Sequence, residues 1–115
     1  MTDPQAALAP GEVVWVKPDL TIGREQGGGR PALVIAGTDY LATVDTLAIV
    51  VPITTVDRRW PNHIPIVGAD LPQPSWAMSE QVRTISRERI VARAGNADVA
   101  TLREVRDWIR DFLDL

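Results

Sequence analysis

Apolar residues recur along the chain in short runs, several of them alternating with polar positions, and stretches rich in Gly, Pro and Asp separate one run from the next. The pattern predicts β-strands at Glu12–Lys17, Pro31–Ala36, Thr46–Ile53, His63–Val67, Ser75–Met78, Gln81–Ser86 and Ile90–Arg93. Short strands at this spacing predict a mainly β (α+β) domain, a small and strongly curved antiparallel barrel-like sheet. After Asp98 the period changes. Val99, Leu102, Val105, Ile109, Phe112 and Leu113 fall on one helical face, Arg103, Asp107, Arg110 and Asp111 face water, and Asp98 is placed to cap the helix. This C-terminal helix is expected to pack on the barrel. Met1–Pro10, with two prolines and an Ala-rich middle, reads as a loose arm, so the single domain spans 11–115.

Between the first two strands the pattern breaks. Gly27, Gly28 and Gly29 follow one another and lead into Arg30-Pro31 at the head of the second strand. Glycines reach backbone conformations closed to other residues, and Arg24 and Arg30 frame the loop so that both can reach one anion. Gly23 and Gly28 have the spacing of a phosphate-binding P-loop. Gly29, however, stands where its lysine belongs, and Pro31 with a β-rich run follows where a helix is required, which excludes that reading. What remains is a glycine-rich loop that delivers Arg30, fixed by Pro31, to the start of a buried strand.

A chain of 115 residues makes one domain, able to bury about two-thirds of its unfolded surface. Its 45% hydrophobic content excludes a disordered chain. The longest apolar run, Leu47–Ile53, is broken by Pro52 and falls well short of the ~20 residues of a membrane span. The N-terminus lacks a signal-peptide pattern, and the absence of cysteine closes off disulfides and thiolate chemistry. A soluble, cytoplasmic protein with no membrane partner is expected. The net charge of −3 argues against a generic nucleic-acid binder. Residues 58–93 nevertheless carry six basic and three acidic side chains, and eleven of the twelve basic residues are arginine, the side chain suited to bidentate phosphate contacts. That distribution suits a small RNA groove better than a long DNA-coating surface.

The chemistry is bounded by what is missing. One histidine and no cysteine leave no usual zinc site, Gly-x-Ser-x-Gly does not occur, and no carboxylates cluster at metal-ligand spacing. Metal-free, cofactor-free chemistry is expected. RNA carries its own nucleophile in the 2′-hydroxyl, so an arginine and one or two hydroxyls suffice to orient the phosphate and stabilise its charge. His63, in alternation with Ile64 and Ile66, reads as an ordinary strand start rather than a base. Trp15 and Trp108 read as core. Trp60 follows Arg58 and Arg59 in a loop, an arrangement that suits either stacking of an RNA base or docking onto the core or a partner.

Three segments resemble the MazF/PemK family of toxin endoribonucleases, in order. They are Gly23-Arg24-Glu25-Gln26 running to Arg30-Pro31; Val50-Val51-Pro52-Ile53-Thr54-Thr55; and Glu80-Gln81-Val82-Arg83-Thr84-Ile85. The resemblance covers about Gly11 to Leu115 and implies the CcdB/MazF-type plasmid toxin barrel. It implies that Arg30 is the main catalytic residue and that Thr54, with Thr55 beside it, holds the scissile phosphate. Glu80 matches a proton acceptor of some members, its alternative being an ion pair with Arg83 or Arg87. Those members carry an arginine two residues earlier, where this chain has Met78. Gln81 reads a base edge more plausibly than it moves a proton. Arg24, where the family usually has a small residue, together with Gln26, Arg83 and Trp60 completes the expected substrate-binding set.

The resemblance further implies a type II toxin that cuts single-stranded RNA by 2′-hydroxyl attack, leaving a 2′,3′-cyclic phosphate and a 5′-hydroxyl. It implies a homodimer with RNA in a groove at the subunit interface, and a MazE-like antitoxin that occupies that groove. Two other readings share the fold: a non-enzymatic toxin that poisons DNA gyrase, and an inactive binding module of a toxin–antitoxin complex.

Overall fold

In a computed structural model that describes residues 7–18 and 29–115, the chain forms seven strands and two helices. The elements are β1 (Glu12–Val16), β2 (Arg30–Val34), α1 (Thr38–Thr43), β3 (Leu47–Thr54), β4 (His63–Pro65), β5 (Trp76–Met78), β6 (Arg83–Ser86), β7 (Ile90–Asn96) and α2 (Val99–Phe112). A 3-10 turn, Arg87–Arg89, joins β6 to β7.

Every pairing is antiparallel, in the order β4-β5-β3-β2-β1-β7, with β6 also on β3. The eight residues of β3 make this possible. One edge holds β2 through Val50–Pro52, and the other carries β6 against Leu47–Val50 and β5 against Ile53–Thr54. The expected barrel-like sheet is therefore present but open: β6 and β7 are linked by the 3-10 turn instead of a ladder.

Strand alternation explains why so many positions are apolar. Val14, Val16, Ala32, Val34, Ala48 and Val50 point to one face and bury against Leu8, Leu41, Ile85 and Ile90, while Val13, Leu33, Val51 and Ile53 point to the other and bury against Leu102 and Val105 of α2. Each face thus has its own core.

Several expectations shift. Strand β2 starts at Arg30 and ends at Val34, and α1, which the hydrophobic spacing did not signal, follows with only Leu41 buried. Tertiary contacts hold it: the Arg87 guanidinium donates to the carbonyls of Leu41 (2.6 Å), Val44 (3.1 Å) and Leu47 (2.9 Å). Asp98 occupies the N-cap of α2, yet its side chain makes no capping bond. The apolar face of α2 is buried only at its middle, leaving Val99, Phe112 and Leu113 exposed. The described end of the N-terminal arm is docked, with Leu8 in the core and the Ala7 carbonyl accepting from Arg93 at 2.6 Å. No helix among the described residues is long and apolar enough to cross a membrane.

Candidate functional site

The register that pairs Ala32 with Pro52 carries position 30 opposite position 54 at the open end of the β2–β3 ladder. Arg30, Ala32, Val50, Pro52 and Thr54 thereby share one face. Arg83, paired with Val50 across β6, joins them. On that face a groove of about 720 Å³ opens, lined by Arg30, Thr54, Thr55, Gln81 and Arg83 together with Trp15, Lys17, Gln73, Met78 and Arg89 among others. The structure thus gathers five of the nine expected site residues. Arg24 and Gln26 lie outside the described residues.

The electrostatics of this groove run against the chain as a whole. Among the described residues Lys17, Arg30, Arg83 and Arg89 line it and no Asp or Glu does, although the chain carries −3. Low-dielectric walls around like charges focus an attractive field for an anion. Arg30 is exposed at the first residue of β2. Its backbone is fixed by the pairing with Val16 and by Gly29, where a Cβ would lie 2.8 Å from the Val16 carbonyl oxygen, closer than side chains approach. The hydroxyl oxygen of Thr54 accepts the Val56 N–H at 3.1 Å, so its own proton stays available to donate to a ligand.

Arg89 and Lys17 were not singled out in the sequence. Arg89 donates from Nε (2.9 Å) and Nη2 (2.7 Å) to the Lys17 carbonyl, whose amide returns a bond to the Arg89 carbonyl at 2.8 Å. This reciprocal clamp ties the end of β1 to the start of β7 beside Arg30. Trp15, read as core, also lines the groove. No local signal marks these residues, because only the pairing of β1 with β2 and β7 brings them to the groove.

Glu80 and Trp60 lie outside the lining and form a second cluster with the sole histidine. His63 is 5% exposed at the start of β4. Its Nε2 lies 3.1 Å and 3.0 Å from the two Glu80 oxygens, and Asn62 Nδ2 donates to Oε1 at 2.7 Å. The anticipated alternative for Glu80, a pairing with Arg83 or Arg87, is replaced by His63. Burial pushes the Glu80 carboxyl upward, but the His63 hydrogen bond and charge, with help from the backbone and Gln81, outweigh it and hold the group below its ordinary value of 4.5. A carboxylate only accepts, so the shared proton sits on Nε2. Trp60, 49% exposed, rests its ring against His63 with centroids 4.8 Å apart. Gln81 bridges the two clusters: it lines the groove and its Nε2 lies 3.4 Å from Glu80 Oε2. Among the described residues no group of three or more His, Cys, Asp or Glu side chains could hold a metal.

A family model described as a PemK-like, MazF-like toxin of type II toxin–antitoxin systems matches residues 9–113. The endoribonuclease toxin MazF of Escherichia coli (strain K12) is 32% identical over 76 residues, which is 66% of this chain and 66% of that protein, a little short of two-thirds of either. Endoribonuclease MazF9 of Mycobacterium tuberculosis is 29% identical over 112 residues, 91% of this chain and 95% of that protein. A crystal structure of MazE–MazF from Deinococcus radiodurans superimposes with a TM-score of 0.80 at 26% identity, covering 95% of this chain and 97% of that one.

Proposed function

The chain belongs to the PemK-like, MazF-like toxin family of type II toxin–antitoxin systems, and we propose that it is an endoribonuclease that cuts single-stranded RNA without a metal ion. The observation that carries this reading is the groove that joins Arg30, Thr54, Gln81 and Arg83, with no carboxylate among the described residues that line it. The relatives named endoribonuclease in Escherichia coli and Mycobacterium tuberculosis support it.

In this reading the 2′-hydroxyl oxygen attacks the adjacent phosphorus as the P–O5′ bond breaks; the 2′-hydroxyl proton passes to solvent water and the leaving 5′-oxygen takes up a proton from water. The products are a 2′,3′-cyclic phosphate and a 5′-hydroxyl. Arg30 spans two non-bridging oxygens and stabilises the charge that builds on them, and Thr54 donates its hydroxyl to the same phosphate. Arg83 and Lys17 hold neighbouring phosphates, Thr55 stands beside Thr54, and Gln81 faces a base edge. With both oxygens engaged by His63 and Asn62, Glu80 is assigned to the rim, where it orders Gln81, in preference to the proton-accepting role implied by the resemblance. Arg24 and Gln26 remain proposed contacts of the glycine-rich loop.

The protein acts as a homodimer in this proposal, and an antitoxin inhibits it by laying an acidic segment into the groove so that carboxylates replace phosphates at Arg30 and Arg83. The Deinococcus MazE–MazF complex supports that partnership. The decisive experiment incubates the purified protein with a long RNA in excess chelator and maps the ends. Cuts with 2′,3′-cyclic phosphate termini are expected. Intact RNA, or 3′-hydroxyl termini, would overturn the reading.

A further inference from the structure

Beyond the groove, the loop that leaves Thr54 holds a second arrangement fit for RNA. Val56, two residues on, still lines the groove, and the chain then turns sharply at Arg59, whose φ of 62° is a left-handed conformation that non-glycine residues adopt at a cost. Asp57, the one acid between Thr55 and Pro61, holds this turn by accepting the Arg59 N–H at 2.9 Å. The result sets the Arg58 guanidinium over the Trp60 ring, 5.9 Å from its centroid. That spacing is the outer limit of cation–π contact, so the pair is open enough to admit a competitor.

The ring is also backed. Trp60 leans on the buried His63, His63 is fixed by Glu80, and Glu80 meets Gln81 at the groove rim. A large aromatic side chain thus rests against a buried partner while the residue stays 49% exposed, and Val56 and Gln81, on the two segments that lead to this cluster, both line the groove. Exposed aromatic surface beside arginine is what a nucleobase and its phosphate recognise, and the Asp57 turn and the His63 contact favour the loop shape that presents it.

Resting on the ribonuclease reading above, we infer that Trp60 and Arg58 form a nucleotide subsite outside the cleavage groove: one base of the RNA, beyond the dinucleotide being cut, stacks on Trp60, and Arg58 shifts to its phosphate. The subsite is sequence-tolerant, because every base has a π-face, and it adds affinity for longer RNAs.

The test uses oligonucleotides that carry the site mapped in long RNA, with 2′-deoxy at the nucleotide 5′ to the cut, trimmed one nucleotide at a time from each end. Binding is read by fluorescence anisotropy for the wild-type, W60A, W60F and R58A proteins, each matched by circular dichroism. The full-length oligonucleotide is expected to bind W60A at least ~5-fold more weakly, the low end of what one lost stacked base costs. W60F restores most of the affinity. R58A loses both affinity and part of the salt dependence. The W60A penalty disappears once the stacked nucleotide is trimmed away. An equal penalty at every length would make Trp60 merely structural and overturn the subsite, as would wild-type affinity of W60A for every oligonucleotide. Loss of antitoxin binding or of dimerisation in W60A, with RNA binding intact, would reassign the surface to that protein and also overturn it. A wild-type protein that neither cuts nor binds RNA would instead overturn the ribonuclease reading itself.

Discussion

His63 and Glu80 are 17 positions apart in the chain, yet the imidazole Nε2 sits within 3.1 Å of both carboxylate oxygens. The β4–β5 ladder creates this pair by setting His63 opposite Met78, two residues before Glu80. Because the folded state holds the Glu80 carboxyl below 4.5, the stability it contributes is fully present above that value and is lost as pH falls below 4.5 through the lowered folded value. Melting curves of wild-type and E80Q protein should therefore differ most between neutral pH and 4.5 and converge below it. A constant difference across the range would sever the pair from acid stability.

Arg30 bears the largest catalytic burden in the proposed mechanism. Substitution R30A is expected to lower the rate of RNA cleavage at least ~100-fold, the scale of removing one preorganised charge stabiliser, with an unchanged circular dichroism spectrum. E80Q, by contrast, should cost less than R30A, since Glu80 lies outside the groove lining. A reversed order would return proton transfer to Glu80.

Thr54 offers a hydroxyl whose oxygen is already bonded to the Val56 amide. T54A should cut more slowly by roughly 10-fold, about the worth of one hydrogen bond to a charged group, and T54S should recover most of the rate. Steady-state kinetics on one mapped oligonucleotide separates the three proteins.

Gly29 packs so closely on Val16 that an added Cβ would meet backbone at 2.8 Å on the carbonyl oxygen and 3.1 Å on the nitrogen. G29A should destabilise the fold by about 1–3 kcal/mol through this forced separation of β1 and β2, and should slow cleavage at temperatures where the protein remains folded, because Arg30 is the next residue. Urea titration reads the first effect and initial rates read the second. Wild-type values for both would show that the strands yield at no cost.

Cleavage should persist in excess chelator, and an RNA with 2′-deoxy at the nucleotide 5′ to the cut should resist it, because the attacking oxygen is then missing. Gel analysis of that substrate, with product ends identified by mass, distinguishes 2′-hydroxyl attack from hydrolysis by water.

The amino-acid sequence by itself determined the β-rich domain and the C-terminal helix, since strand alternation and helical spacing are local properties of which residues avoid water. It also marked Arg30, by the glycines before it and the proline after it, whereas Thr54 was marked through the resemblance to the MazF/PemK family. Tertiary structure decided what those residues stand beside. The open ladder of β2 and β3 sets positions 30 and 54 face to face, and β6 adds Arg83. Arg89 and Lys17 reach the groove only because β1 pairs with both β2 and β7. Helix α1 owes its place to three carbonyls gripped by Arg87 from across the fold, and His63 became the partner of Glu80 through a register no local pattern encodes. Periodicity reports which side of an element is buried; which distant element covers it is set by strand pairing, and the site is made of those pairings.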